Sequence, residues 1–241
     1  MTVLLALDGV YKSYGALKVA DAITLDVAEG EALGVIGPNG AGKSTLFNLI
    51  TGDVAPDSGR VRFAGADITA MPAHRRSRLG IGRSYQIPHP FANMTVFENL
   101  LVGGIFGAGR GEKESYPHCA EVLELTGLID KANAAAGSLT LLQRKRLELA
   151  RALAMRPRLL LLDEIGGGLT EHECNDLVET IRAIHAKGVT IIWIEHIVHA
   201  LLSVASRLIV MDFGQLLAEG EPRAVMADVR VQEVYMGIPA S

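Results

Sequence analysis

The chain has 241 residues, of which 49% are apolar, enough for a substantial buried core and against disorder. Its 23 Lys plus Arg against 27 Asp plus Glu leave a formal net charge of −4, which offers no overall electrostatic pull toward nucleic acid or anionic lipid. Glycine is in excess: 26 residues, about 11% against roughly 7% in ordinary proteins, with no low-complexity tract to absorb them. No stretch approaches the roughly 18 to 20 consecutive apolar residues of a membrane-spanning helix. Leu100 to Gly109 is the longest charge-free apolar run, and Arg110 ends it. At the amino terminus Asp8 arrives too soon for a signal-peptide core, which leads to the expectation of a cytosolic chain. Cys119 and Cys174 have no Cys or His at metal spacing and read as incidental core thiols.

Taken in chain order, runs of Val, Ile and Leu at Val3–Leu7, Ala32–Ile36, Arg60–Phe63, Leu159–Leu162, Val189–Ile194 and Leu208–Met211 read as strands. The first thirty residues and Gly59 to Ile68 are short and turn-rich, the signature of a small antiparallel layer. From about Ile87 to Arg156 the strand signal stops and the pattern turns helical, with expected breaks at Gly103, Gly104, Gly107, Gly109, Gly111 and Pro117. After Gln143, apolar Leu147, Ala150 and Ala154 recur at helical spacing, and Leu177, Ile181 and Ile184 form a second stripe in a helix from Glu173 to Ala186, closed by Gly188. Non-alternating strands such as LLLL imply helices on both sheet faces. The fold class is therefore α/β, a parallel sheet core with an amino-terminal antiparallel β-layer and an inserted helical subdomain.

Residues 37 to 45 read GPNGAGKST, directly after the strand ALGVI and before the helical TLFNLIT. The spacing reads as a phosphate loop, with a glycine-rich strand-to-helix turn that holds no ligand as the alternative: Gly37, Pro38, Asn39, Gly40, Ala41 and Gly42 are expected to turn the backbone so that N–H groups face phosphate oxygens. Glycine is expected there because a β-carbon would take the phosphate's place. Lys43 supplies charge to the β- and γ-phosphates, Ser44 ligates Mg²⁺, and Thr45 donates toward the α-phosphate. The apolar strand ending in LLLLDE places two acids at its tip. Asp163 is suited to hold the metal through water, and Glu164 to polarise the attacking water. A structural reading of the same acids, as a cap for the next helix, is the ordinary alternative.

Together these residues resemble the ATP-binding subunit of an ATP-binding cassette (ABC) transporter, from end to end. The resemblance implies a P-loop NTPase of RecA-like topology, ATP and Mg²⁺ as cofactors, and one ATPase domain over 1–241. In it, 1–86 and 157–241 form the core and 87–156 the helical subdomain. It implies that Gln86, in SYQ, senses the metal and γ-phosphate, that His196, in IIWIEH, contacts the γ-phosphate, and that Tyr14 stacks on adenine. A packing role for Tyr11 or Tyr14 in the β-layer is the alternative. It also implies a dimer with a second ATPase subunit, identical or not, in which each ATP lies between one phosphate loop and the other subunit's signature, usually LSGGQ.

Two departures stand out. The signature position reads LTLLQ: Leu139, Thr140 and Gln143 match the pattern, whereas Leu141 and Leu142 replace both glycines. Branched side chains there should hinder a partner's phosphate, while Thr140 still offers a hydroxyl. After Glu164 the chain reads IGGGLT, an intersubunit loop whose three glycines predict unusual flexibility, with Thr170 where many members carry Asp.

The words IGRSYQIPHPFANMTVFENLLVG at 81–103 and VQEVYMG at 231–237 look like the ATPases of branched-chain or hydrophobic amino-acid uptake systems. That resemblance implies permease subunits, an external substrate-binding protein, and a peripheral location on the cytoplasmic face of the membrane. A urea or amide importer, a soluble regulatory ATPase of the same fold, and a small-molecule kinase using Arg75, Arg76 and Arg78 are the alternatives.

Overall fold

The computed structural model describes residues 2–236. Of the carboxyl-terminal word at 231–237, Gly237 lies outside the described residues. Residue contacts gather the chain into two compact units, Met1–Ala73 with Thr190–Ser241, and His74–Val189. The division drawn from sequence, 1–86 and 157–241 against 87–156, follows the pattern of elements: strands stop after Ile81–Ser84 and resume with Leu159–Asp163.

In the first unit, β1 (Val3–Tyr14) pairs antiparallel with β2 (Leu17–Ala28). Ile23, Leu25 and Val27 are buried while Thr24 and Asp26 face water, the period-two pattern of a half-buried sheet. The apolar run that marks this first strand in the sequence ends at Leu7, before Asp8 and Gly9. A β-bulge between Leu7 and Val10 absorbs the pair, and the strand continues. Next comes β3 (Ala32–Ile36), wholly buried, and α1 (Lys43–Thr51), which closes at Gly52, where a left-handed backbone (φ 81°) lets the N–H reach Asn48 O at 3.0 Å. Then β4 (Ser58–Phe63) and β5 (Ala66–Asp67) complete an antiparallel sheet of order β2-β1-β4-β5.

The second unit contains α2 (Ala73–Arg78, whose first residue belongs to the first unit), β6 (Ile81–Ser84), α3 (Val96–Val102), α4 (Glu112–Leu125), α5 (Leu141–Ala154), β7 (Leu159–Asp163) and α6 (Glu171–Ala186). Its strands β6 and β7 are parallel neighbours. Three helices start with reciprocal capping boxes, at Thr95 with Glu98, Thr140 with Gln143 and Thr170 with Glu173.

The expected breaks at Gly103, Gly104 and Gly107 are not breaks. The backbone passes from α3 straight into a π-helical turn, Gly103–Gly107. Glycine serves close packing there: a β-carbon on Gly103 would lie 2.7 Å from Arg151 O, and one on Gly107 2.5 Å from Met155 Cγ. Pro117 likewise sits inside α4, at the loss of one backbone donor. Cys119 and Cys174 are buried, and burial pushes the Cys119 thiol up to about 11.

The chain returns to the first unit through β8 (Thr190–Ile194), α7 (Val198–Leu202), β9 (Arg207–Asp212), β10 (Gln215–Gly220), α8 (Pro222–Met226) and α9 (Val229–Met236). Within this unit the strands run in the order β10-β9-β3-β8, with β3 parallel to both β8 and β9. The carboxyl ends of β3, β8 and β9 therefore open on one edge, the usual place for a ligand in such a sheet. Among the described residues no helix is long and apolar enough to cross a membrane.

Candidate active site

In the first unit, β3 delivers the chain to Gly37 and α1 begins after Gly42. Gly37, Gly40 and Gly42 have φ of 154°, 82° and 101°. The reason for glycine differs from the one read in the sequence. A β-carbon on Gly37 would stand 2.2 Å from Met211 O, and one on Gly42 2.3 Å from Val19 O, so it is the protein's own backbone that forbids a side chain at these two positions. Beside Gly40 there is open space, and there only the left-handed backbone selects glycine. Ala41 is tied across the sheet edge by a bond from Gly214 N–H to its carbonyl at 3.0 Å.

Lys43 is 6% exposed, and its ammonium donates to Gly37 O at 2.8 Å and Pro38 O at 3.0 Å, which holds a positive charge inside the loop. Ser44 is exposed, Thr45 half-buried, Pro38 half-buried, and Asn39 exposed. Such a loop, with a buried ammonium and a helix amino terminus behind it, fits an anionic phosphate chain. Tyr14 ends β1 at 52% exposure, and Tyr11 is 38% exposed, so neither ring serves the core of the β-layer. The Lys12 ammonium, bound to Asp57 at 2.7 Å, lies 5.7 Å above the Tyr14 ring.

His196 follows β8 on the same sheet edge as the loop and is exposed. Glu195 beside it, 2% exposed, escaped the sequence reading. Its carboxylate accepts from the backbone N–H of His196 at 2.9 Å and of Ile197 at 3.4 Å, and so shapes the turn that presents the histidine.

In the second unit the two acids at the end of β7 are gripped from the end of β6. Gln86 Nε2 donates to Glu164 Oε2 at 2.6 Å, and Arg83 Nη2 to Asp163 Oδ2 at 2.7 Å. Glu164 carries a left-handed φ of 46°, a strained backbone for a side chain of its size. Arg83 was missed in the sequence, where its signal was a charge inside the strand-like GIGRSY. Behind this pair, the α5 face supports the segment around Gln86: Lys145 donates to Gln86 O at 3.4 Å, and Arg151 to His89 O at 2.9 Å. Glu148, between them, has its carboxyl pushed up by burial, with Arg151 opposing.

The signature residues lie at the start of α5. Leu139 is buried, and Thr140 caps the helix, its backbone N–H donating to Gln143 Oε1 at 3.0 Å. The loop after Glu164 is less free than its glycines predict. Gly167 N–H bonds Glu164 O at 3.3 Å and Leu169 N–H bonds Gly166 O at 3.2 Å, while Thr170 becomes the α6 cap.

Ser44, Gln86 and Asp163 carry hydroxyl, amide and carboxylate oxygens, the hard donors that Mg²⁺ takes alongside substrate phosphates. A glycine loop opening a helix at the carboxyl edge of a parallel sheet, with a buried lysine inside it, defines a phosphate-loop nucleotide-binding protein.

The particular family follows from comparison. The ABC transporter family model matches residues 20–166. The chain is 35% identical to the high-affinity branched-chain amino acid transport ATP-binding protein BraF of Pseudomonas aeruginosa, over 97% of this chain and 98% of the relative. It is 33% identical to the corresponding LivG protein of Salmonella typhimurium, with the same coverage, and 34% identical to the lipopolysaccharide export ATP-binding protein LptB of Acidithiobacillus ferridurans, over 98% of each. A crystal structure of an ATP-binding cassette of an ABC transporter in its ADP conformation superposes with a TM-score of 0.91 at 34% identity, covering 99% of this chain and all of that one. The chain belongs to the ABC transporter family as an ATP-binding cassette, the ATPase that powers transport.

Proposed function

We propose that this cassette energises an importer of branched-chain or other hydrophobic amino acids, docked peripherally on the cytoplasmic face of the membrane against permease subunits and paired with a second ATPase subunit. An external binding protein would deliver the cargo. Likeness to BraF and LivG over nearly the full length supports the cargo class.

The bond from Gln86 to Glu164 carries the catalytic assignment. It orients the Glu164 carboxylate by one oxygen, so that the residue can accept a proton from the water that attacks the γ-phosphate, a general-base task. Lys43 and the loop N–H groups from Gly37 to Thr45 bind phosphate, Tyr14 stacks on adenine, and His196 meets the γ-phosphate. Ser44, Asp163 and Gln86 are assigned to Mg²⁺. Held there, the metal would supply positive charge against the negative charge that develops on the phosphates during transfer. Leu139, Thr140 and Gln143 serve the partner's nucleotide in trans, and the helical segment 87–156 relays closure to the permease.

Native mass spectrometry of the membrane complex tests the whole reading. Two ATPases with permeases that bind a hydrophobic amino acid are expected. A complex carrying lipopolysaccharide, or a chain that stays soluble without permeases, would replace the cargo or the transport role.

A further inference from the structure

We propose that Arg83 is the resident counter-ion of Asp163, and that its guanidinium competes with divalent metal for that carboxylate and so weakens metal binding. The inference rests on the reading of Asp163 as the metal-binding acid. Arg83 Nη2 lies 2.7 Å from Asp163 Oδ2, and the two side chains are only 8% and 10% exposed. Arg83 stands opposite Leu161 across the parallel β6–β7 pair, so its long side chain reaches forward past one full residue pair to the strand tip. The guanidinium is also held 4.9 Å over the ring of Tyr85, which is 48% exposed.

A carboxylate this deep is costly without a cation, and Arg83 cancels its charge. A divalent ion arriving at the same carboxylate then meets a positive charge under weak solvent screening, and the carboxylate attracts it less than a lone aspartate would. Metal is therefore held chiefly by the nucleotide and leaves with the product, which makes exchange between turnovers easier. A positioning role without charge competition makes the opposite forecast, because loss of the arginine would then misplace Asp163 and weaken the metal.

Two substitutions bracket the charge. Arg83→Gln removes it and, with an amide two bonds short of the guanidinium's outer nitrogen, does not reach Asp163 directly, whereas Arg83→Lys retains the charge without the fork. The readout is Mn²⁺ affinity of the full chain saturated with ADP, measured by electron paramagnetic resonance of free Mn²⁺. Arg83→Gln should bind Mn²⁺ at least about fivefold more tightly, and Arg83→Lys should stay within about twofold of the parent. In thermal melts without metal Arg83→Gln should be less stable, and Mn²⁺ with ADP should restore more of its stability than in the parent. Unchanged or weaker Mn²⁺ binding in Arg83→Gln overturns the proposal. Asp163→Asn distinguishes the two layers. If it leaves Mn²⁺ affinity intact, the metal role of Asp163 fails and the Arg83 proposal with it. If it weakens Mn²⁺ while Arg83→Gln does not tighten it, only the competition by Arg83 fails.

Discussion

Leu141 lies over Gly168: its Cδ2 is 3.4 Å from where a β-carbon on that glycine would stand. These residues belong to the two places where the chain departs from its family's usual pattern, the LTLLQ signature and the triple-glycine loop. In space the two departures meet at this one point, with the Leu141 side chain at ordinary van der Waals distance from the position of a β-carbon on the glycine. Leu141 is nevertheless 46% exposed, so it also presents apolar surface in the signature segment.

Gly168→Val should destabilise the fold by more than the roughly 1 to 2 kcal/mol expected from its left-handed backbone alone, φ 78°, because the new side chain meets Leu141. Leu141→Ala in the same chain should recover part of that loss, with a coupling of about 0.5 to 3 kcal/mol. Urea denaturation of the two single variants and the double variant measures it. Strict additivity would mean that the contact is energetically silent.

Glu164→Gln should lower ATP hydrolysis by roughly 10² to 10⁴ while nucleotide still binds. Phosphate release paired with equilibrium binding of a fluorescent ATP analogue checks both halves. Turnover at the parent rate would remove Glu164 from the base role.

Thr140→Ala removes the hydroxyl half of the α5 capping box and should cost about 0.5 to 2 kcal/mol of stability. Thr140→Ser should retain most of it. Comparison of Tm for the three proteins decides the point, and equal melting of parent and alanine variant would show the cap to be dispensable.

Glu148 makes stability depend on pH. Burial raises its carboxyl above the ordinary value of 4.5, so the folded chain keeps the proton longer than the unfolded one. The folded state is thus favoured most at low pH, and this contribution is lost as pH rises from about 4.5 through the folded-state value. Glu148→Gln should therefore gain more stability, relative to the parent, at pH 7.5 than at pH 4.5. Melting curves at both values test the sign. An equal shift at the two would mean that burial is offset by Arg151, 3.2 Å away.

What the chain declares by itself is what is contiguous. The loop from Gly37 to Thr45, the buried strand ending at Asp163 and Glu164, and the helices after Gln143 and up to Ala186 are written in short stretches, because a tight turn, a strand or an amphipathic helix is specified by near neighbours. Contiguity also misled the reading at Gly103, Gly104, Gly107 and Pro117, where local breakers sit inside helical turns that neighbouring helices hold. Only the tertiary structure decided that a β-carbon at Gly42 would strike Val19, that Leu141 meets Gly168, and that Arg83 finds Asp163 80 residues away. Those pairings depend on strand register and helix packing, which bring distant segments within a few ångströms and leave no periodicity in the sequence to announce them.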